Sequence, residues 1–348
     1  MSDADARRTP VPPLVVLATV VLVVSLPVAT ALGSTGIAWS EVVEVWRSRL
    51  QGVPSGATSD TIVWNIRAPR VLLAAVVGAG LAIAGTVVQT LVRNPLADPY
   101  LLGVSSGASV GATAVITLGV LSSTGTWALS VGAMIGAVVA AATVFGIAMG
   151  QGGLTPLRLV LTGTVLASAF SAVASYLVFR SEEPQAAQSV LFWLLGSLAR
   201  ASWEQLALPL VAVVVAAVVL VLLRGWLDAL LAGPDVAASL GVPVARLRVA
   251  LFVLQALLVG VLVAVAGGIG FVGLIVPHVA RLLVGPLHGR MVPVAALVGA
   301  IFLVWVDVAA RTLATPQDIP LSVVTGVVGA PVFLVLLGRR RYRFGGES

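Results

Sequence analysis

Apolar residues in this chain come in long runs rather than in amphipathic stripes, and ten runs follow one another: Leu14–Leu32, Val71–Val92, Leu101–Leu121, Trp127–Met149, Leu157–Phe179, Leu206–Leu223, Val249–Ala266, Ile269–Leu283, Val292–Leu313 and Leu321–Leu337. A helix rises about 1.5 Å per residue, so roughly 20 residues cross the ~30 Å hydrocarbon core of a bilayer. Backbone polar groups find no water there, and a helix satisfies them within one segment. The pattern therefore predicts an all-α polytopic membrane protein of about ten transmembrane helices. The eighth run is short, and the break Ala266-Gly267-Gly268-Ile269-Gly270 before it leaves nine spans as the rival count. Residues 39–50 read as a short outer helix between the first two spans. The 180–204 connection, with Phe192, Trp193 and Trp203, reads as an interfacial helix anchored at headgroup level.

Composition agrees: 59% of the 348 residues are hydrophobic, 10% are charged, and the mean hydropathy is +1.09. A soluble domain of that length has too much surface to hide so much apolar area. All 20 basic residues are arginine, and there is no cysteine. Without lysine there is no Walker A phosphate loop and no Schiff base; without cysteine there is no disulfide or thiolate metal site. His278 and His288 are too few for a histidine-based metal site.

Charge placement sets orientation. With ten spans and both termini in the cytoplasm, thirteen arginines fall inside (7, 8, 93, 158, 224, 246, 248, 281, 290, 339, 340, 341, 343) and seven outside (47, 49, 67, 70, 180, 200, 311). That is the bias of positive-inside topology, and it accounts for the net charge of +6 without a nucleic-acid partner. Arg7-Arg8, the first apolar run and Ala29-Thr30-Ala31 also fit a cleavable secretory signal, but removing it would move the basic C-terminus outside.

Small residues recur at helical spacing in several spans, as in Ala74, Gly78, Ala82; Gly107, Gly111; Gly132, Gly136, Ala140; and Gly163, Ala167, Ser171, Ser175. Such faces let helix backbones approach closely, within one subunit or at a subunit interface or pathway wall. Charge at membrane depth is nearly absent. Asp307 stands four residues before Arg311, in position to pair along one helix face. An ion-coupled secondary transporter needs a chain of buried acids, which is missing, and no polar cluster marks a membrane-embedded enzyme. The longest cytoplasmic connection, 224–248, contains Pro234-Asp235, a helix-start signal, then Val236, Ala237 and Leu240 as a short apolar face, ended by Gly241 at C′. Such a helix could lie on the membrane or fit a partner's groove.

Three segments are distinctive. The first is Ile66-Arg67-Ala68-Pro69-Arg70, followed by Gln89 and Arg93-Asn94-Pro95-Leu96-Ala97-Asp98-Pro99, then Leu102-Gly103-Val104-Ser105-Ser106-Gly107. The second is Leu231-Ala232-Gly233-Pro234-Asp235-Val236-Ala237-Ala238-Ser239-Leu240-Gly241-Val242. The third is Gly267-Gly268-Ile269-Gly270-Phe271-Val272-Gly273-Leu274-Ile275-Val276-Pro277-His278-Val279-Ala280-Arg281, closing with Gly329-Ala330-Pro331. Together, over residues 60–338, they resemble the FecCD/BtuC family, permease subunits of ABC importers for iron–siderophores, haem and vitamin B12.

The resemblance implies a BtuC-like fold forming a single permease domain over 1–348. Residues 1–13 would be a cytoplasmic tail, 14–338 the bundle and 339–348 a second tail, in the cytoplasmic membrane of a bacterium. It implies a homodimer, two ABC ATPase subunits that bind ATP and Mg, and an extracytoplasmic substrate-binding protein; this chain would bind no cofactor and would not be an enzyme. Arg67, Arg70 and Arg311 would dock the binding protein, although snorkelling of helix-end arginines is the plainer reading of the residues alone. Gly233, Pro234, Asp235, Val236, Ala237, Leu240 and Gly241 would form the ATPase coupling helix. Asn94, Leu96 and Thr155 would border the cytoplasmic gate, and His278 would be structural. An iron–siderophore is the expected cargo, with haem or a corrinoid as alternatives.

Overall fold

The computed structural model describes residues 11–53 and 57–339. Residues 1–10 and 340–348, with Arg7, Arg8, Arg340, Arg341 and Arg343, lie outside the described residues; the rest of the expected tails, 11–13 and Arg339, is helical. The elements are α1 (Val11–Ala31), α2 (Trp39–Leu50), the single turn α3 (Thr58–Asp60), a π-helical segment (Thr61–Arg67), α4 (Ala68–Leu91), α5 (Val104–Leu118), α6 (Ala128–Gly150) and α7 (Pro156–Phe179), then α8 (Ala186–Leu194), α9 (Trp203–Leu222), α10 (Arg224–Ala232), α11 (Pro234–Ser239), α12 (Val244–Ala266), α13 (Val272–Val284), α14 (His288–Thr312) and α15 (Leu321–Arg339). Among the described residues there is no strand. Seven helices are long and apolar enough to cross a membrane, and three more, α5, α13 and α15, are apolar but shorter. The expected count of about ten holds in that form, and the two anticipated outer helices are α2 and α8.

One helix organises the rest. Within the continuous helical run Thr58–Leu91, α4 is buried along most of its length. It packs against α14, α12, α13 and α9. Its small residues make this possible. A methyl added at Gly78 would overlap the Gly299 carbonyl of α14, and one at Gly85 would overlap the Gly273 carbonyl of α13. Gly299 meets the Gly78 carbonyl in return, so the two backbones touch. The α5–α6 pair uses the same device, Gly111 lying against the Gly132 carbonyl. The stripes seen in the sequence are therefore largely consumed inside the subunit, where dispersion between close backbones replaces the hydrophobic drive that lipid removes.

Between α12 and α13 the chain breaks, and the two remain separate helices. The break lies against Tyr100, whose hydroxyl donates to the Ile269 carbonyl (3.1 Å) and accepts from the Ile269 amide (2.9 Å). Ser322, at the start of α15, donates to the Gly268 carbonyl (2.8 Å) and accepts from the Gly270 amide (3.2 Å). The loop after α8 completes the seam: Ser197 N donates to Ala266 O, and Leu321 N and Ser322 N donate to Gly196 O and Leu195 O. Irregular backbone is tolerated at such a place because protein groups satisfy it.

Replacing Gly85 by Ala should lower the thermal midpoint in detergent, since overpacking a full interface costs about 1–3 kcal/mol. Gly146→Ala, where an added methyl meets nothing within 4 Å, should leave it unchanged or slightly raised. Indistinguishable midpoints for the two variants would show that α4 and α13 are not in backbone contact.

Candidate functional site

At one end of the bundle three arginines converge. The sequence reading puts Arg67, Arg70 and Arg311 on an exposed rim; the structure corrects this, leaving them only 5%, 9% and 5% exposed. The cause is the start of the second span. Its helix begins at Thr58 rather than Val71, so Arg67 and Arg70 stand more than about two turns inside it. Arg67 Nη1 donates to the carbonyls of Thr30 (3.0 Å) and Ala31 (2.9 Å), and Nη2 to that of Thr35 (2.6 Å). Arg311 Nη2 reaches the Ala29 carbonyl at 2.7 Å. Two cations thus close the C-terminus of α1, where carbonyls lack helical partners and the dipole end is negative.

Arg70 holds two carboxylates, Asp307 through Nε (2.8 Å) and Asp318 through Nη1 (2.7 Å). The anticipated pair of Asp307 with Arg311 is present at 3.3 Å, as a charge contact without hydrogen-bond geometry. Three guanidiniums face two carboxylates, leaving one positive charge in excess. Asp307 is fully buried, whereas the Asp318 side chain is 35% exposed. Beside the cluster, α2 is fastened by Arg49, which binds Asp60 through Nε and Nη2, and by Trp46, which meets Trp64 edge-on while Trp203 lies tilted against Trp64.

The opposite end carries the 224–248 connection, which folds into α10 and α11 and ends in the first turn of α12. Gly233 joins them at φ +128°, a conformation that excludes a β-carbon. Pro234 opens α11 and Asp235 lies in its first turn. Gly241, at φ +80°, donates to Ala238 O (2.9 Å) while Val242 donates to Ala237 O (3.0 Å), a Schellman ending. One expectation fails. Ala237 does not share a face with Val236 and Leu240: it is buried against the bundle, while Val236 and Leu240, one turn apart, are exposed. Successive residues lie about 100° apart on a helix, so one anchors α11 and the other two project.

The residues expected at the gate have local duties. Asn94 Oδ1 accepts from Leu96 N (2.9 Å), closing the turn after α4. Thr155 is the N-cap of α7, its hydroxyl accepting from Arg158 N at 3.4 Å. No described hydrogen bond brings the two connections together. Asp98, in the first of them, accepts from Tyr100 N, and burial pushes its carboxyl above the ordinary carboxylate range against the opposing pull of that bond. His278 is buried in α13.

Sequence reasoning missed His288. It is 1% exposed and lies between Asp228 of α10 and Thr90 at the end of α4. It also undervalued α7, among the least buried of the long helices. Thr164, Ser168, Ser171 and Ser175 are all exposed along it, at spacings that form one stripe. The Ser168 and Ser175 hydroxyls donate back to the carbonyls of Thr164 and Ser171. A membrane helix that turns hydroxyls outward has an unfinished face.

Residues 18–339 match the FecCD transport family. The chain is 42% identical to the cobalamin import system permease protein BtuC of Halobacterium salinarum, covering 90% of this chain and 83% of that one. It is 40% identical to the hemin transport system permease protein HmuU of Yersinia pestis, covering 82% and 86%. A solved structure described as an inward-facing, metal-chelate type ABC transporter superposes with a TM-score of 0.83 at 33% identity, covering 94% of this chain and all of the other.

The outer cluster makes its own prediction. Asp307→Ala leaves two buried guanidiniums without their shared anion, and breaking such a network costs about 3–5 kcal/mol. Removing the half-exposed partner with Asp318→Asn should cost about 1 kcal/mol or less. Thermal unfolding in detergent measures both, and equal losses would show that Asp307 is not the electrostatic centre.

Proposed function

Because the chain belongs to the FecCD transport family and is a multi-pass permease subunit of an ABC importer rather than an enzyme, we propose that it carries an iron–siderophore into a bacterial cytoplasm as half of a homodimeric conduit. Both termini lie in the cytoplasm, and two separate ATPase subunits, which hold ATP and Mg, supply the energy. One observation carries this reading: the exposed hydroxyl stripe of α7. Lipid would favour an apolar surface there, whereas a second copy across a water-filled path accommodates hydroxyls. The Ser168 and Ser175 protons are spent on helix carbonyls, and the helix has no charged residue between Arg158 and Arg180. Such a wall is wet but weakly adhesive, as passage of a large chelate requires. A corrinoid is the second reading, favoured by the 42% identity to a cobalamin permease.

Coupling runs through α11, whose exposed Val236 and Leu240 form a small apolar knob suited to a groove on the ATPase. Nucleotide-driven closure of the ATPases would rock the helices between inward- and outward-open arrangements, with Asn94, Leu96 and Thr155 bordering the inner gate. The outer arginine cluster is the docking site for the substrate-binding protein. Its guanidiniums turn inward, so the Arg70–Asp318 pair presents the cluster to the surface, and a partner's carboxylate would take the place of Asp318.

Single cysteines test the conduit cleanly in a chain with none of its own. Ser168→Cys and Ser171→Cys should react with a membrane-impermeant thiol reagent in at least one nucleotide state, and Val214→Cys, exposed on α9, should not. Reactivity at positions 168 and 171 no greater than at Val214→Cys would remove the conduit. For docking, Asp318→Asn should tighten binding of the cognate binding protein about 3–10-fold at low salt, the gain fading as salt rises; an unchanged affinity places docking elsewhere.

A further inference from the structure

Resting on the importer reading, we infer that Asp228 and His288 are positioning residues forming the joint through which the α10–α11 coupling segment moves the bundle. Asp228 is on α10, directly before the coupling helix. Its Oδ1 accepts from two groups of one residue, the backbone amide of His288 at 2.9 Å and its ring Nδ1 at 2.7 Å. His288 is the first residue of α14, so its amide is among those with no partner inside the helix. A carboxylate on one helix thus caps the N-terminus of another, at the positive end of that helix's dipole. The histidine passes the link onward: Nε2 lies 2.8 Å from the Thr90 hydroxyl in the last turn of α4. The coupling segment, the long α14 and the central α4 therefore meet at one imidazole.

The neighbourhood makes this joint stiff. Leu227 and Leu230, flanking Asp228 on α10, are each only 1% exposed. Arg224 of α10 packs its stem on Gly289, beside the histidine. Arg281 of α13 binds Gln89 Oε1 at 3.0 Å, one residue before Thr90. Gln89 in turn reaches the Leu274 carbonyl at 3.3 Å. A displacement of α10 thus acts on the ends of α4 and α14 through hydrogen bonds of fixed length rather than through a slack loop. Nothing else about α10 requires a carboxylate at 228; a capping acceptor aimed at another helix does.

The series arrangement sets the test, made on the complete complex with its ATPase and binding protein in proteoliposomes. Asp228→Ala cuts the first link. His288→Asn retains a donor near Nδ1 but is too short for Thr90, and cuts the second. Three quantities are read on assembled complex: ATP hydrolysis, uptake of labelled ferrichrome, haemin or cyanocobalamin, and the nucleotide-dependent change in reactivity of Ser171→Cys. Each single variant should continue hydrolysing ATP while the ratio of cargo moved to ATP spent falls about 10-fold and the change at position 171 disappears. The double variant should be no worse than either single one. Asp228→Asn, which keeps the amide acceptor, should restore at least half of the ratio. A wild-type ratio in both single variants overturns the joint, as does a loss confined to complex assembly with normal coupling in what remains. If the wild-type complex itself transports none of the probes and shows no nucleotide-dependent change, it is the importer reading that fails.

Discussion

Hydrocarbon offers a peptide group no hydrogen-bond partner and offers two apolar helices no reason to leave lipid for one another, and the architecture follows from both facts. Contact between helices has to come from fit. Gly78 against Gly299 and Gly85 against Gly273 supply it by bringing backbones together, which makes α4 the member around which α12, α13 and α14 assemble. Irregular backbone has to be satisfied by protein. The α12–α13 break meets this through two hydroxyls, Tyr100 and Ser322, each both donating and accepting. Interruptions that would be costly in lipid become the places where three segments are stitched together.

The two ends of the bundle use one electrostatic device with opposite sign. At one end, Arg67 and Arg311 donate hydrogen bonds to the last carbonyls of α1; at the other, Asp228 accepts from the first amide of α14. Each places charge of the favourable sign at a dipole end, and each ties the end of one helix to a side chain from another. The spans between are free to tilt only as far as these ties permit. Alternating access in such a molecule is a question of which ties move together, since dense interfaces slide poorly and rock as units.

Much of this was legible in the sequence, for identifiable reasons. Uninterrupted apolar runs announce spans without tertiary information, and Pro234 with Gly241 brackets α11 correctly. Small-residue stripes were visible too, but spacing gives a face and not its partner, so Gly78 could not be matched to Gly299. The outer arginines were misjudged because Thr58–Arg70, read by hydropathy, is a polar rim. Its burial depends on Thr30, Ala31, Asp307 and Asp318, from 36 to 248 residues away in sequence. His288 was overlooked for the same reason: Thr90 is 198 residues away and Asp228 is 60. Ala237 shows a finer limit, since the period of a six-residue helix cannot say which side faces home.

The same contacts agree with motive power drawn from another subunit, as in the ABC permease family to which the chain belongs. An ion-coupled transporter needs a carboxylate that changes partner or protonation as the path opens and closes. Asp307 is the acid at membrane depth that sequence singles out, and it is fully buried between Arg70 and Arg311. Protonating it would leave Arg311 without its carboxylate and take from Arg70 one of its two, a cost that an ion gradient would have to meet in every cycle. The hydroxyls of α7 do not titrate in the physiological range, and those of Ser168 and Ser175 already donate to the helix backbone. Asp307 and the α7 hydroxyls thus give a charge-driven cycle no foothold, and a conformational change imposed mechanically fits them better. On the proposed reading, the part of the chain that receives such a push is the short helix whose Val236 and Leu240 stand clear of the bundle.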